Sequence, residues 1–392
     1  MASPVTVTSL MTVAPKPKSL LGYHRQLAPN AAIKVSPLCL GAMGFGVNFK
    51  EILGACDKEA SFKLLDFFYE NGGNFIDTAS GYQHGESEII LGEWMKERGN
   101  RDEIVLATKY TSAFQLGNSE IKIQSNFGGN NKKSMLTAIT SSLKRLHTTY
   151  IDLFYVHSWD FTTSIPELMH ALNDLVTSGK VLYLGISNTP AWIVSMANEY
   201  ARQKGLTAFS VFQGLWSAAE RDIEREILPM CNNQGMGVVP YGVLGSGFFR
   251  TSAQRAAERQ ETEKREGRNI GFMDKPQKTV MADTLEKIAI AKGTSITSVA
   301  LAWVRTKGPY VVPVVGGRKI EHLKASIEAL GLQLTEEEIK EIENAVPFDF
   351  GYPQALLGGP GGATHPGDLW MTKRFGHFDW VEAPKPPKQR SN

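Results

Sequence analysis

The sequence predicts an α/β fold, a (β/α)8 TIM-type barrel with long loops after strands three and seven and an irregular C-terminal tail. Three observations predict it. Eight short apolar runs recur along the 392 residues, segments of helical periodicity separate them, and a polar or ionisable residue follows most of the runs. Runs that are almost continuously apolar mark strands buried on both faces, as in a parallel sheet covered by helices.

The strands are expected at Leu38–Gly41, Asn74–Ile76, Ile104–Ala107, Ile151–Val156, Val181–Ile186, Phe209–Phe212, Gly237–Pro240 and Val311–Val315. Between them, Ala60–Asn71, Ser134–Leu146, Ile165–Ser178, Thr189–Lys204 and Arg221–Gln234 place apolar residues three and four apart, as Phe62, Leu65, Phe68 and Tyr69 do. A doubly wound sheet would have fewer strands and a glycine-rich first turn. Gly41, Gly44 and Gly46 instead run in the reverse of that fingerprint. A βα unit takes about 30 residues, and two intervals exceed it. Thr111–Lys133, rich in Asn and Gly, follows strand three, and Gly242–Lys278, with the charged run Arg255–Arg268, follows strand seven. Long loops on the strands' C-terminal face tend to become lids.

The ends divide from the barrel by composition. Residues 1–20 hold Pro4, Pro15 and Pro17 and read as a flexible extension, residues 21–345 as the barrel. Residues 346–392 carry 7 Gly and 7 Pro but also Phe348, Tyr352, Trp370, Phe378 and Trp380, and are expected to pack partly on the barrel.

Composition excludes several classes of function. A net charge of +2 is too small for a nucleic-acid binder, and no run of ~18 apolar residues marks a membrane span. Three scattered cysteines form neither a disulfide framework nor a zinc site, and 8 histidines show no metal-binding spacing, so a cytoplasmic protein without a metal is expected.

The strand ends carry the chemistry. Asp77, Lys109, His157, Ser187, Asn188, Gln213, Tyr241 and Gly316 each follow a strand, and a closed barrel gathers such positions at one mouth. Individually they have ordinary explanations, a helix cap for Asp77 or a packed core imidazole for His157. Together with Tyr82, five residues beyond Asp77, they suggest acid–base work. A phenol titrates near pH 10, too high for neutral-pH catalysis. An ammonium beside it favours the phenolate, and a carboxylate holds the ammonium in place.

Asn74–Tyr82 with Gly85-Glu86-Ser87-Glu88, Ala107-Thr108-Lys109, Ile151–His157, Gly179–Asn188 and Pro313–Lys319 resembles the aldo-keto reductase superfamily over about Leu20 to Leu330. Within it, the fungal aryl-alcohol dehydrogenase and norsolorinic acid reductase branches look nearest. The resemblance implies an NADP(H)-dependent carbonyl reductase acting on an aromatic or polycyclic small molecule, and allows a homodimer. Tyr82 would be the general acid, tuned by Lys109 and Asp77, with His157 orienting the carbonyl. Ser187, Asn188 and Gln213 would hold the nicotinamide carboxamide, and Tyr241 would stack on the ring. Gly242, Leu244, Gly245 and Gly247 would follow the pyrophosphate, and Gly316, Arg318 and Lys319 would meet the adenosine phosphate. Trp159, Phe45, Val47 and Tyr110 are the expected pocket wall. Two departures stand out: Ala325-Ser326 where many members have Glu-Asn, and Trp216 where tyrosine is usual. Two other readings stay open, a cofactor-binding regulatory subunit like those of potassium channels and a barrel hydrolase with paired carboxylates.

Overall fold

The structure is a computed structural model that describes residues 12–260, 276–363, 365–381, 384–387 and 390. Most of the charged run Arg255–Arg268, and the start of the N-terminal extension, lie outside the described residues.

Eight parallel strands follow one another around the sheet: β3 (Cys39–Gly41), β4 (Phe75–Asp77), β5 (Val105–Tyr110), β6 (Ile151–Val156), β7 (Val181–Ser187), β8 (Phe209–Gln213), β9 (Gly237–Val238) and β10 (Val314–Val315). β10 pairs with β3. The remaining seam, between β9 and β10, closes through Val312 N–H to Val238 O at 2.9 Å and Val314 N–H to Pro240 O at 2.8 Å. The ring is therefore a barrel.

Helices follow the strands: α1 (Lys58–Glu70), α2 (Glu86–Arg98), α3 (Lys132–Arg145), α4 (Ile165–Thr177), α5 (Ala191–Lys204), α6 (Ile227–Gln234), α7 (Ser252–Gln260), α8 (Pro276–Lys292), α9 (Ile296–Arg305), α10 (Ile320–Glu328) and α11 (Glu336–Ala345). Side chains of Asp57, Asn131 and Ser164 accept from backbone N–H groups in the first turns of α1, α3 and α4, which fixes where those helices begin. The long intervals lie after β5 and β9, as the spacing predicts.

Period-two alternation sorts the strand side chains. Leu40, Ile76, Leu106, Phe154, Leu184, Ile186 and Phe212 point outward into the layer shared with the helices. Cys39, Phe75, Val105, Ala107, Leu153, Tyr155, Val211 and Val239 fill the interior.

An antiparallel hairpin absent from the sequence reading, β1 (Arg25–Ala28) and β2 (Ala31–Val35), precedes the barrel. Leu27, Ala28, Ala31 and Val35 join the interior cluster, so the hairpin stoppers the end where the strands begin. Gly237 makes that approach feasible, because a Cβ there would lie 2.4 Å from the Leu27 carbonyl oxygen. At the other end of the chain, the tail starts packed. Phe348 lies beneath the Arg221 and Arg225 guanidiniums at 4.9 and 4.6 Å, and Arg225 Nε donates to Asp349 O at 2.7 Å. Farther on, Phe375, Phe378 and Trp380 touch one another but stay exposed.

Candidate active site

The same alternation that sends Val105 and Ala107 inward sends Lys109 inward, and Asp77 follows Phe75 in the same way on the neighbouring strand. Asp77 is 3% and Lys109 0% exposed. They form a short ion pair, and the ammonium donates further to the Thr78 carbonyl at 2.8 Å. Gln213 Nε2 donates to the other Asp77 oxygen at 3.0 Å, so both carboxylate oxygens are engaged. Burial, the largest single influence, pushes the Lys109 pKa down, but the neighbouring charges, Asp77 first, and the hydrogen bond to Asp77 together outweigh it and hold the group above its ordinary value. The cation is secure.

Tyr82 reaches this pair from the loop after β4. Its hydroxyl lies 3.5 Å from Lys109 Nζ, and the ammonium sits 5.0 Å from the ring centroid. The next two residues, Gln83 and His84, adopt φ of 53° and 54°, which L residues rarely do. Gln83 holds this turn: its side chain accepts from Phe49 N–H at 2.6 Å and donates to Met43 O at 3.3 Å. Glu86 accepts from Val47 N–H at 2.8 Å and from the Asn48 side chain at 2.8 Å. The loop after β3 thus clamps the loop that carries Tyr82.

His157 meets Tyr82 edge to face, with ring centroids 5.7 Å apart. Burial, and then the nearby Lys109 charge, lower its pKa to about 3. The imidazole is neutral at physiological pH and can donate a hydrogen bond without titrating.

Around this centre lies a set that fits a dinucleotide. Ser187 Oγ is fully buried with no hydrogen-bond partner among the described residues, which suits a ligand amide. Asn188, at φ 45°, donates to His157 O at 3.0 Å and accepts from the Tyr241 hydroxyl at 3.0 Å. Gly242, Gly245, Ser246 and Gly247 all have positive φ, and nothing lies within 4 Å of where a Gly247 Cβ would stand. Successive backbone N–H groups of such a loop form an anion cradle. Leu244, between Gly242 and Gly245, is half-buried. Gly316 and Lys319 are exposed, and Arg318 crosses to the loop after β3, where a Cβ on Gly54 would meet its Nη1 at 1.6 Å. Neither Arg318 nor Lys319 has a carboxylate partner among the described residues, so both could hold a phosphate.

The expected pocket wall divides. Trp159 is half-buried and Val47 exposed near the rim. Tyr110 and Phe45 instead point away. Because Lys109 faces inward, its neighbour Tyr110 must face outward, where it stacks on Phe154 at 5.3 Å and donates to Asn130 O at 3.2 Å. Phe45 is 1% exposed and belongs to the outer layer. Trp216 also packs away from solvent, its indole donating to Glu224 at 3.0 Å beside Trp303. The Ser326 hydroxyl is occupied within its own helix by His322 O at 2.9 Å.

Sequence reasoning missed the polar groups behind the centre. Glu88, fully buried, accepts from Thr108 at 2.5 Å and pairs with Arg145 at 2.7 Å, tying α2 to the strand that bears Lys109. Its place in Gly85–Glu88 was visible, but not its burial. Among the described residues there is no cluster of His, Cys, Asp or Glu suited to a metal ion.

The arrangement brings a phenol hydroxyl and an imidazole together beside a buried ammonium. Comparison with known proteins agrees in kind. Residues 37–347 match the family model described as aldo/keto reductase family. Norsolorinic acid reductase B of Dothistroma septosporum is 55% identical over 370 residues, 93% of either chain. Norsolorinic acid reductase A of Aspergillus parasiticus is 54% identical, covering 89% of this chain and 87% of its own. The aryl-alcohol dehydrogenase [NADP(+)] of Phanerodontia chrysosporium is 48% identical, covering 88% of this chain and 91% of its own.

Proposed function

The chain belongs to the aldo/keto reductase family, and we infer that it reduces a ketone or aldehyde on an aromatic or polycyclic small molecule with NADPH, the reverse alcohol oxidation using the same groups. One observation carries the reading: Tyr82, Lys109, Asp77 and His157 converge with the Tyr82 hydroxyl 3.5 Å from a buried ammonium. When bound, the reduced nicotinamide supplies a hydride to the carbonyl carbon.

The protein's own part is to manage charge on the carbonyl oxygen. Tyr82 donates its proton to that oxygen as negative charge develops, and His157 donates a hydrogen bond that strengthens in the transition state. Lys109 stabilises the phenolate left behind, and Asp77 with Thr78 O keeps the ammonium aimed. Ser187, Asn188 and Gln213 would hold the carboxamide and Tyr241 would cover the ring. The Gly242–Gly247 loop would receive the pyrophosphate, and Arg318 with Lys319 the 2′-phosphate. Trp159 and Val47 would border the substrate. Its relatives' names support the substrate class, two being reductases of norsolorinic acid and one a dehydrogenase of aryl alcohols. The cytoplasm is the compartment we propose, on three buried, unpaired cysteines. Among the described residues no helix is long and apolar enough to cross a membrane.

The test is turnover of a panel of aromatic aldehydes and ketones with NADPH, alongside Tyr82→Phe. Wild-type turnover should fall by about two or more orders of magnitude in the variant, while NADPH still quenches tryptophan fluorescence. Equal rates would remove Tyr82 from the reaction, and NADPH binding without any turnover would favour a regulatory subunit.

A further inference from the structure

Ser112 opens the long loop after β5, and its Oγ lies 3.3 Å from His157 Nδ1. No hydrogen bond from the described residues reaches the other ring nitrogen, Nε2. We propose that Ser112 is a positioning residue that sets the tautomer of His157: its hydroxyl donates to Nδ1, so the single ring proton resides on Nε2 and is available to the carbonyl oxygen. This rests on the reading of His157 given above.

The local backbone is built to bring Ser112 there. Thr111, β-branched, is held at φ 100°, a conformation that persists only where the surroundings enforce it. They do so from several sides. Thr111 Oγ1 accepts from His157 N–H at 3.3 Å and from Asn130 Nδ2 at 2.9 Å, and its carbonyl accepts from Gly129 N–H at 2.8 Å. Asn130, 0% exposed, also donates to Ser158 O at 2.9 Å and exchanges two hydrogen bonds with Asp160, at 2.7 and 2.8 Å. Both ends of the loop are thus knotted to the segment that follows His157. Ser112 also packs against Gly81, whose added Cβ would stand 3.2 Å from the serine Cβ, so it touches the loop of Tyr82 as well.

Chemistry explains the need. A neutral imidazole has one N–H, and the hydrogen bond at one nitrogen selects which nitrogen carries it. Only the Nε2–H form can donate from the unengaged side. With Ser112→Ala that selection is lost, part of the population presents a lone pair to the carbonyl oxygen, and turnover falls by the lost fraction.

The experiment reads ring ¹⁵N shifts of His157 in the full chain without cofactor, assigned by their loss in His157→Gln, together with kcat. Wild type should show protonated Nε2 and bare Nδ1. Ser112→Ala should move the pattern toward a mixture and lower kcat by the fraction that the shifts report as Nδ1–H, with little change in KM for NADPH, and Ser112→Thr should restore both. Protonated Nδ1 in the wild type overturns the proposal, as does Ser112→Ala leaving either the shifts or kcat where they were. A wild type that shows the expected tautomer yet turns over no carbonyl compound would sink the assigned reaction instead.

Discussion

Replacing Asp77 by asparagine removes the countercharge of a cation that water cannot reach. The Lys109 side chain is 0% and the Asp77 side chain 5% exposed, so screening by solvent is slight. Breaking such a pair on one side destabilises by about 3–5 kcal/mol, because the remaining charge stays buried. At about 2 °C per kcal/mol for a chain of this size, the midpoint of thermal unfolding at pH 7 should drop by on the order of 6–10 °C. An amide also has one oxygen for two donors, Lys109 Nζ and Gln213 Nε2, where the carboxylate serves both.

The pH dependence supplies the sharper discriminator. In the wild type the Lys109 pKa is raised in the folded state. Its contribution is complete below the unfolded value of about 10.4 and is lost as pH rises through the folded one. Without Asp77, burial, already the largest single influence, is no longer outweighed and depresses the folded pKa. The unfolded chain then binds more protons, so the variant should gain stability as pH rises toward about 10, while the wild type does not. Calorimetric scans of both proteins from pH 7 to 10 decide the matter, and parallel curves separated by under about 1 kcal/mol would refute a buried, paired ammonium.

Further expectations concern other parts of the molecule. With the His157 pKa at about 3, kcat should show no histidine-type inflection between pH 5 and 8; a limb near 6.5 that disappears in His157→Gln would contradict the neutral imidazole. Gly185 faces Tyr155 across β6 and β7, and an added Cβ would lie 2.4 Å from the ring. Gly185→Ala should therefore destabilise by about 1–3 kcal/mol and disturb Lys109, 5.6 Å from the same ring, as thermal unfolding and kcat would reveal. Leu27→Ala in the hairpin should cost about 2–5 kcal/mol with kcat retained at low temperature, measured by denaturant titration. Arg318→Ala should raise the Kd for NADPH about tenfold or more with little effect on NADH, in line with loss of a charge-assisted contact, read by fluorescence titration.

The barrel was legible because its strands are buried on both sides and so stay apolar without interruption. β1 and β2 escaped for the opposite reason: Arg25 and Gln26 open one and Lys34 interrupts the other, in strands of only four and five residues, and no long apolar run announces them. The strand ends Asp77, Lys109 and His157 could be placed because closure of a barrel brings such positions together. Tyr110 shows what proximity in sequence conceals. Counting parity from Lys109 along β5 would have turned it outward. Ser112, Asn130 and Asp160 act through loop contacts between distant segments, for which one chain's local pattern carries no signal.

Among the described residues the hairpin corks one end of the barrel and apolar side chains fill the interior behind it, which leaves the Tyr82 end as the threshold for a guest. How long a guest lingers is then governed by the loops framing that threshold, while the wall beneath them is free to remain rigid.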